Sequence, residues 1–478
     1  MMPPMELLLD KVARTVVLTH GLMAIALVVF FAFAGLLIRE WWSRPPRERL
    51  AVGLVVMLGL VARVVWALQT QPLPHSDFAV YWQFAQSFAQ GDYRFEEISR
   101  HPGLSLWLSW FLRLFGPSLE TVWFFNGLIS LVMMLLFYVL GKHLGGRVAG
   151  GLALFLGAFH PQMVAYTALV ATEIPAITVL LLAIWAVIRT RENPSGLIYW
   201  LGLGFLIYGA VLIRSSHLIL LGLIPVLFVL YRRAFWQAGL RITLLLWVTV
   251  GILLSAWIGH QYVIGGSPKL FWGSELWLSC AIQYDRDGRY TDPVDMAFYP
   301  KVKPHFEAFG RTGQVQHMIR AYEVIGEESM AVIRQDPVKY LLFGFTRMRY
   351  ILGTSQSGVT WSFQQSRILP HEAMPRWLKV IRNVSTISWQ VLLWISPLGL
   401  LALRPRQQNE RQELMFLLVS YGLIWLVFHF LVAVASERYA MQFLPVVFLM
   451  DAAAVAQLLG WLMPARQPAV SRRIGLAR

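Results

Sequence analysis

The sequence predicts an all-α, polytopic membrane protein with about eleven transmembrane helices and a small domain outside the bilayer. Three observations predict it. Of 478 residues, 57% are hydrophobic and only 14% are charged, where a soluble chain carries roughly a quarter charged residues. Apolar runs of about 20 residues recur, long enough to cross a hydrocarbon core of about 30 Å. Arginine and lysine gather in alternate loops, as expected of cytoplasmic ends.

The runs place spans near residues 15–38, 50–69, 121–140, 148–168, 174–188, 196–213, 216–231, 240–259, 384–403, 413–433 and 439–461. Spans 174–188 and 216–231 are short, which suits tilted or partly re-entrant segments. Ala32-Phe33-Ala34 resembles a signal-peptide cleavage site. The run before it is longer than a signal-peptide core of roughly 7–15 residues, and cleavage would strand the basic stretch 39–49 outside. It reads as a span.

Loop charge sets the direction. Basic clusters fall at Arg39, Arg44, Arg47 and Arg49, at Lys142 and Arg147, at Arg189 and Arg191, and at Arg232, Arg233 and Arg241. Further ones are Arg404, Arg406 and Arg411, then Arg466, Arg472, Arg473 and Arg478 in the tail. They put the N-terminus outside and the C-terminus in the cytoplasm. The net charge of +15 therefore encodes topology, and no nucleic-acid partner is expected. The lone Cys280 excludes an intramolecular disulfide and a thiol metal site.

The chain divides accordingly. Residues 1–49 form an extra first span and basic loop, and 50–259 a transmembrane core that includes the first outer loop, 70–120. Residues 260–377 form an outer domain, 378–463 the last helices, and 464–478 a basic tail. The remaining outer joints are 166–173, 213–217 and 434–438.

In the first outer loop, Pro72 and Pro74 stop the preceding span. "SDFAVYWQFAQSFAQG" then reads as a helix ending at Gly91, with Phe78, Tyr81, Trp82, Ala85, Phe88 and Ala89 on one face. "RHPGLSLWLSWFLRLFG" gives a second. Ser76 or Asp77 suits a helix N-cap, the plain reading of that acid. In the outer domain, "AYEVIGEESMAVIRQDPVKYLLFGF" reads as an amphipathic helix broken before Pro337. Asp285, Asp287, Asp292 and Asp295 do not match a calcium-loop spacing and read as a solvated turn.

Four charged features lie where lipid should be: Asp77, Glu173 in "ALVATEIPA", Arg214 with His217 in "GAVLIRSSHLILLG", and Glu437-Arg438-Tyr439. Each has a plain reading: Glu173 as a cap, Arg214 snorkelling to the interface, Arg438 as an interfacial anchor. Together they are harder to dismiss, because an ionised group at membrane depth costs several kcal/mol unless paired or facing water. Two acids and two arginines on one face suit transfer of a sugar from a lipid phosphate. Arg214 and Arg438 would hold the departing phosphate, since guanidinium forks match its oxygens. Asp77 would accept the proton of an attacking hydroxyl, and Glu173 would orient the acceptor or a metal ion.

At these residues the sequence resembles the GT-C glycosyltransferases that use polyprenyl-phosphate sugars, near the protein O-mannosyltransferase and aminoarabinose transferase group (glycosyltransferase family 39). The matching pieces are "SDFAVYWQFAQSFAQGDY", "RHPGLSLWLSWFLRLFG", "ATEIPA", "GAVLIRSSHLILLGLIP", "DPVKYLLFGFTRM" and "SERYAMQFLPVVFLMDAAA", in the family's order over roughly residues 50–460. The resemblance implies a catalytic acid at Asp77, with Glu173 as the second acid. It implies phosphate contacts from Arg214, Arg438 and Arg100, and substrate contacts from Tyr81, His101, His217 and Tyr439. It also implies a multi-pass protein of a bacterial-type inner membrane, acting at the outer face on a polyprenyl-phosphate sugar and on a lipid, glycan or protein acceptor. Where the family often has Asp-Glu, Phe78 follows Asp77; a divalent cation stays open, and no other cofactor is expected. The span 15–38 precedes the family-like core. Two alternatives are a transporter or lipid flippase, though no internal repeat is seen, and a non-catalytic polyprenyl-phosphate-binding assembly protein.

Overall fold

The computed structural model describes residues 5–93, 100–190, 196–231, 236–286, 293–369, 372–402, 409–432 and 436–462. The described residues are almost entirely helical, and their one β-bridge joins Pro72 to Ser366. Several basic residues named above (Arg191, Arg232, Arg233, Arg404, Arg406 and the tail) lie outside them, as do Asp287 and Asp292.

Among the described residues, every predicted span falls mainly on helix. Six helices among the described residues are long and apolar enough to cross a bilayer, or seven with a bent pair counted as one. Leu197–Ile213 and Ser215–Tyr231 are shorter apolar helices, and Arg376–Ile395 opens with Arg376, Lys379 and Arg382. The chain is a multi-pass membrane protein, and the count of eleven is not reproduced by length and composition.

The helix Leu119–Phe159 is a hairpin, broken where Gly145 (φ −149°, ψ 24°) and Gly146 (φ 74°, ψ −164°) leave helical geometry. A Cβ on Gly157 would meet the Phe137 ring at 2.4 Å, and one on Gly150 the Tyr138 carbonyl at 2.8 Å. In a straight helix residues 137 and 157 would stand about 30 Å apart. Small residues let the two arms pack this closely.

The predicted span 148–168 is not continuous. It breaks at His160-Pro161, and the segments Pro161–Ala168 and Glu173–Arg189 meet at 116°. Proline lacks the N–H that would satisfy the carbonyl four residues back. Arg63, almost fully buried in Pro46–Thr70, fills the gap: Nη2 donates to Gly157 O (2.9 Å), and Nη1 to Ala158 O (2.7 Å) and Gly59 O (2.9 Å). As a charge inside an apolar run, Arg63 carries the same local signal as Arg214. Beyond the bend, Glu173 to Ile188 are all buried, so this helix runs through the centre of the bundle.

Outside the bundle, Ser274–Ala281, Tyr299–Thr312 and Val315–Gln335 enclose a second apolar cluster around Trp272, Cys280, Ile319 and Ile325. The helix ends at Gln335, as Pro337 predicts, and Asp336 caps Pro337–Gly353 by accepting from Lys339 N at 2.9 Å. Arg347 ties this layer to the bundle, donating to Ala281 O (2.6 Å) and Phe430 O (2.5 Å).

Candidate functional site

Asp77 opens the helix Asp77–Gln90. Ser76 before it has a left-handed φ of 52° and makes no side-chain capping bond. The Asp77 carboxylate is held otherwise. Oδ1 accepts from Arg100 Nε (3.0 Å) and Nη2 (2.8 Å), and Oδ2 from Arg438 Nη1 (3.0 Å). Capping as the means of holding this acid is therefore corrected: two guanidinium groups hold it. Burial alone would raise its pKa, but Arg438 and then Arg100 outweigh that and keep the carboxyl below its ordinary value.

Glu173 sits at the 116° bend, fully buried. Its Oε1 accepts from Arg438 Nε and from Arg214 Nη1 (3.3 Å). Its Oε2 has no partner among the described residues. Arg214 stands where Leu197–Ile213 ends and the chain turns extended. It also donates to Thr172 Oγ1 (3.3 Å) and, through Nη2, to the amide oxygen of Gln442 (2.8 Å) when that oxygen faces it.

The charged row therefore reads Arg100, Asp77, Arg438, Glu173, Arg214, alternating in sign and drawn from five separated segments. Three cations against two carboxylates leave one net positive charge. Arg438 lies against the Phe78 ring (4.9 Å) and Arg214 against Tyr439 (5.7 Å), so aromatic faces back both guanidinium groups. Phe78 thus serves the same arginine as the acid beside it.

The remaining predicted residues surround this row. His101 Nε2 accepts from Ser215 N (3.2 Å), which fixes the Arg214 elbow, and its ring lies 3.7 Å from that of Phe271. Burial, then Arg214 and His217, lower its pKa to about 3, so it stays neutral. Gly103 lets the two segments meet, because a Cβ there would lie 2.5 Å from Ile213 N. Tyr81 is buried one turn after Asp77, with its phenol raised to about 12 by burial and by Asp77. His217 is buried and stacked on Tyr421. Glu437 stands apart, accepting from the Thr354 hydroxyl. Gln442 and Thr172 went unnoticed in the sequence, although Gln442 lies one helical turn after Arg438.

A metal ion fits poorly. Among the described residues no three His, Cys, Asp or Glu side chains gather as a metal site. The two carboxylates are separated by the guanidinium they share.

Three solved structures of oligosaccharyltransferase from Archaeoglobus fulgidus, one of them named AglB, superimpose over most of the chain. The form in complex with an inhibitory peptide and a dolichol-phosphate gives a TM-score of 0.51 at 13% identity, covering 87% of this chain and 51% of that one. The apo form and the form tethered to an acceptor peptide each give 0.51 at 13% identity, covering 88% and 51%.

The chain has the GT-C fold.

The chain spans about half the length of the oligosaccharyltransferase it matches. Its residues 100–260 also match the family described as dolichyl-phosphate-mannose-protein mannosyltransferase. That stretch includes Arg100, His101, Glu173, Arg214 and His217, and ends before Arg438. No curated protein sequence matches the chain.

Proposed function

We propose that this GT-C protein is an integral-membrane glycosyltransferase that moves a sugar from a polyprenyl-phosphate donor to an acceptor hydroxyl. The observation that carries this reading is the sharing of Arg438 between Asp77 and Glu173, with Arg100 and Arg214 at either end. A phosphate arriving at this row competes with the carboxylates for the guanidinium donors. Arg438, Arg214 and Arg100 take up its charge, and Asp77 is freed from its strongest partners.

The acceptor oxygen then attacks the anomeric carbon, and the bond from that carbon to the phosphate oxygen breaks. The phosphate leaves with the electron pair, stabilised by the arginines. The hydroxyl proton passes to Asp77 as general base. Glu173 holds Arg438 and Arg214 in register, and Tyr81, His101, His217 and Tyr439 shape the surrounding pocket. No step is assigned to a divalent cation.

In this reading the site faces outward from a bacterial-type inner membrane, and residues 260–377 select the acceptor. The acceptor class is a lipid, a glycan or a protein.

The test is transfer by purified protein from a panel of polyprenyl-phosphate hexoses and pentoses. Asp77→Asn should lose about 10²–10⁴-fold in rate while remaining inserted and folded. A wild-type rate in that variant would remove Asp77 as the base.

A further inference from the structure

The first helix, Met5–Trp42, lies outside the matched stretch 100–260. It carries one buried histidine, His20, on a membrane-spanning segment. Its Nδ1 lies 2.9 Å from Tyr93 Oη and its Nε2 3.0 Å from Ser109 Oγ, and its ring stacks on Trp110 at 4.8 Å.

The hydrogens can be assigned by counting. Ser109 Oγ donates its hydrogen to Leu106 O (2.8 Å), so it accepts from His20 Nε2–H. His20 Nδ1 is then the acceptor for the Tyr93 hydroxyl. Tyr93 Oη in turn accepts from Arg113 Nη2 at 2.6 Å. The relay runs in one direction from Arg113 through Tyr93, His20 and Ser109 to Leu106 O, and it needs a neutral imidazole with its hydrogen on Nε2.

Arg113 connects the relay to the site. The same guanidinium donates to Phe88 O (2.5 Å) and Ala89 O (3.1 Å), the last carbonyls of Asp77–Gln90. Cations at that end satisfy orphan acceptors of a helix. Ser105 Oγ staples the same helix from its neighbour, donating to Tyr81 O (2.9 Å). A 14-residue helix behaves as a rod of about 20 Å. Its far end is therefore fixed by the first span, and Asp77 stands at the near end.

The geometry points to His20 as a positioning residue: the first membrane helix braces the Asp77 helix through the His20–Tyr93–Arg113 relay. This rests on the transferase reading only for its catalytic consequence, because the bracing itself is measured without any substrate.

Hydrogen exchange over residues 77–90 of the full-length protein in nanodiscs tests the brace. His20→Phe keeps the stacking and removes both hydrogen bonds. It should speed exchange at the C-terminal turn of that helix about tenfold, an opening of about 1.4 kcal/mol. His20→Gln, which offers one donor and one acceptor, should restore protection. Tyr93→Phe removes a single hydroxyl from the same chain and serves if His20→Phe fails to insert. If both variants insert, the double variant should be no worse than the worse single one. With an active donor, His20→Phe should lower kcat about ten- to 100-fold with KM unchanged. Wild-type exchange in either single variant would overturn the brace, as would additive effects in the double variant. Absence of transfer by the wild-type protein would sink the transferase reading and leave the exchange result standing.

Discussion

Arg438 reaches Asp77 across 361 residues of chain, with Nη1 3.0 Å from Oδ2, while its Nε binds Glu173. One side chain from the last helix thus sets the spacing of both acids. Its planar fork allows this, where a lysine ammonium would act as a single point charge.

Removing Arg438 leaves a buried carboxylate without its main partner. Breaking such a pair costs about 3–5 kcal/mol. Arg438→Met should therefore lower the melting temperature in detergent markedly, and Arg438→Lys less. Thermal scans by tryptophan fluorescence decide it, and an unchanged midpoint in Arg438→Met would show that the pairing contributes nothing.

Asp77 also predicts a pH dependence. Its folded-state pKa lies below the ordinary value because Arg438 and Arg100 outweigh its burial. The pairing therefore stabilises the fold above the unfolded pKa of about 3.9 and is lost as pH falls through the folded one. Melting temperatures measured from pH 6 down to pH 3 should fall more steeply for the wild type than for Asp77→Asn. Parallel curves would contradict the assignment.

Arg214 is the other anchor proposed for the phosphate. Arg214→Ala should weaken binding of a fluorescent polyprenyl phosphate by about tenfold or more, the loss of about 1.4 kcal/mol of a charge-assisted contact. Equal affinity in a titration of both proteins would take Arg214 out of the donor site.

Gly103 tests the elbow independently of charge. An alanine Cβ would press into the backbone at Leu212 and Ile213, just before Arg214. Overpacking of this kind costs about 1–3 kcal/mol. Gly103→Ala should reduce both melting temperature and polyprenyl phosphate binding, whereas Gly116→Ala tests only a strained backbone elsewhere (φ 90°) and should spare the binding. Full binding by Gly103→Ala would detach the elbow from the donor site.

Much of this architecture was legible in the chain because bilayer crossing is a matter of length and apolar content, both local properties. Asp77, Glu173, Arg214 and Arg438 were visible as charges at membrane depth for the same reason. Their pairing was not, since no local pattern says that residue 438 meets residue 77. The same limit explains the error at Asp77, where the local sequence offers a helix cap and distant arginines supply the partners. The Gly145-Gly146 hairpin reads as two spans and the 116° bend falls at the expected joint 166–173, whereas the break at His160-Pro161 was missed. At that break Arg63, an arginine inside an apolar run, binds two carbonyls more than ninety residues away from it in sequence.

The order of the charged row along the chain has a consequence for biogenesis. Asp77, Arg100, Glu173 and Arg214 are all synthesised well before Arg438. Until that last arginine is inserted, Glu173 lacks one of its two cations and Asp77 has only Arg100. A chain lacking the final helix would leave the buried Glu173 with Arg214 as its one remaining arginine partner in this row. The charged row is complete only once Arg438 has joined both acids.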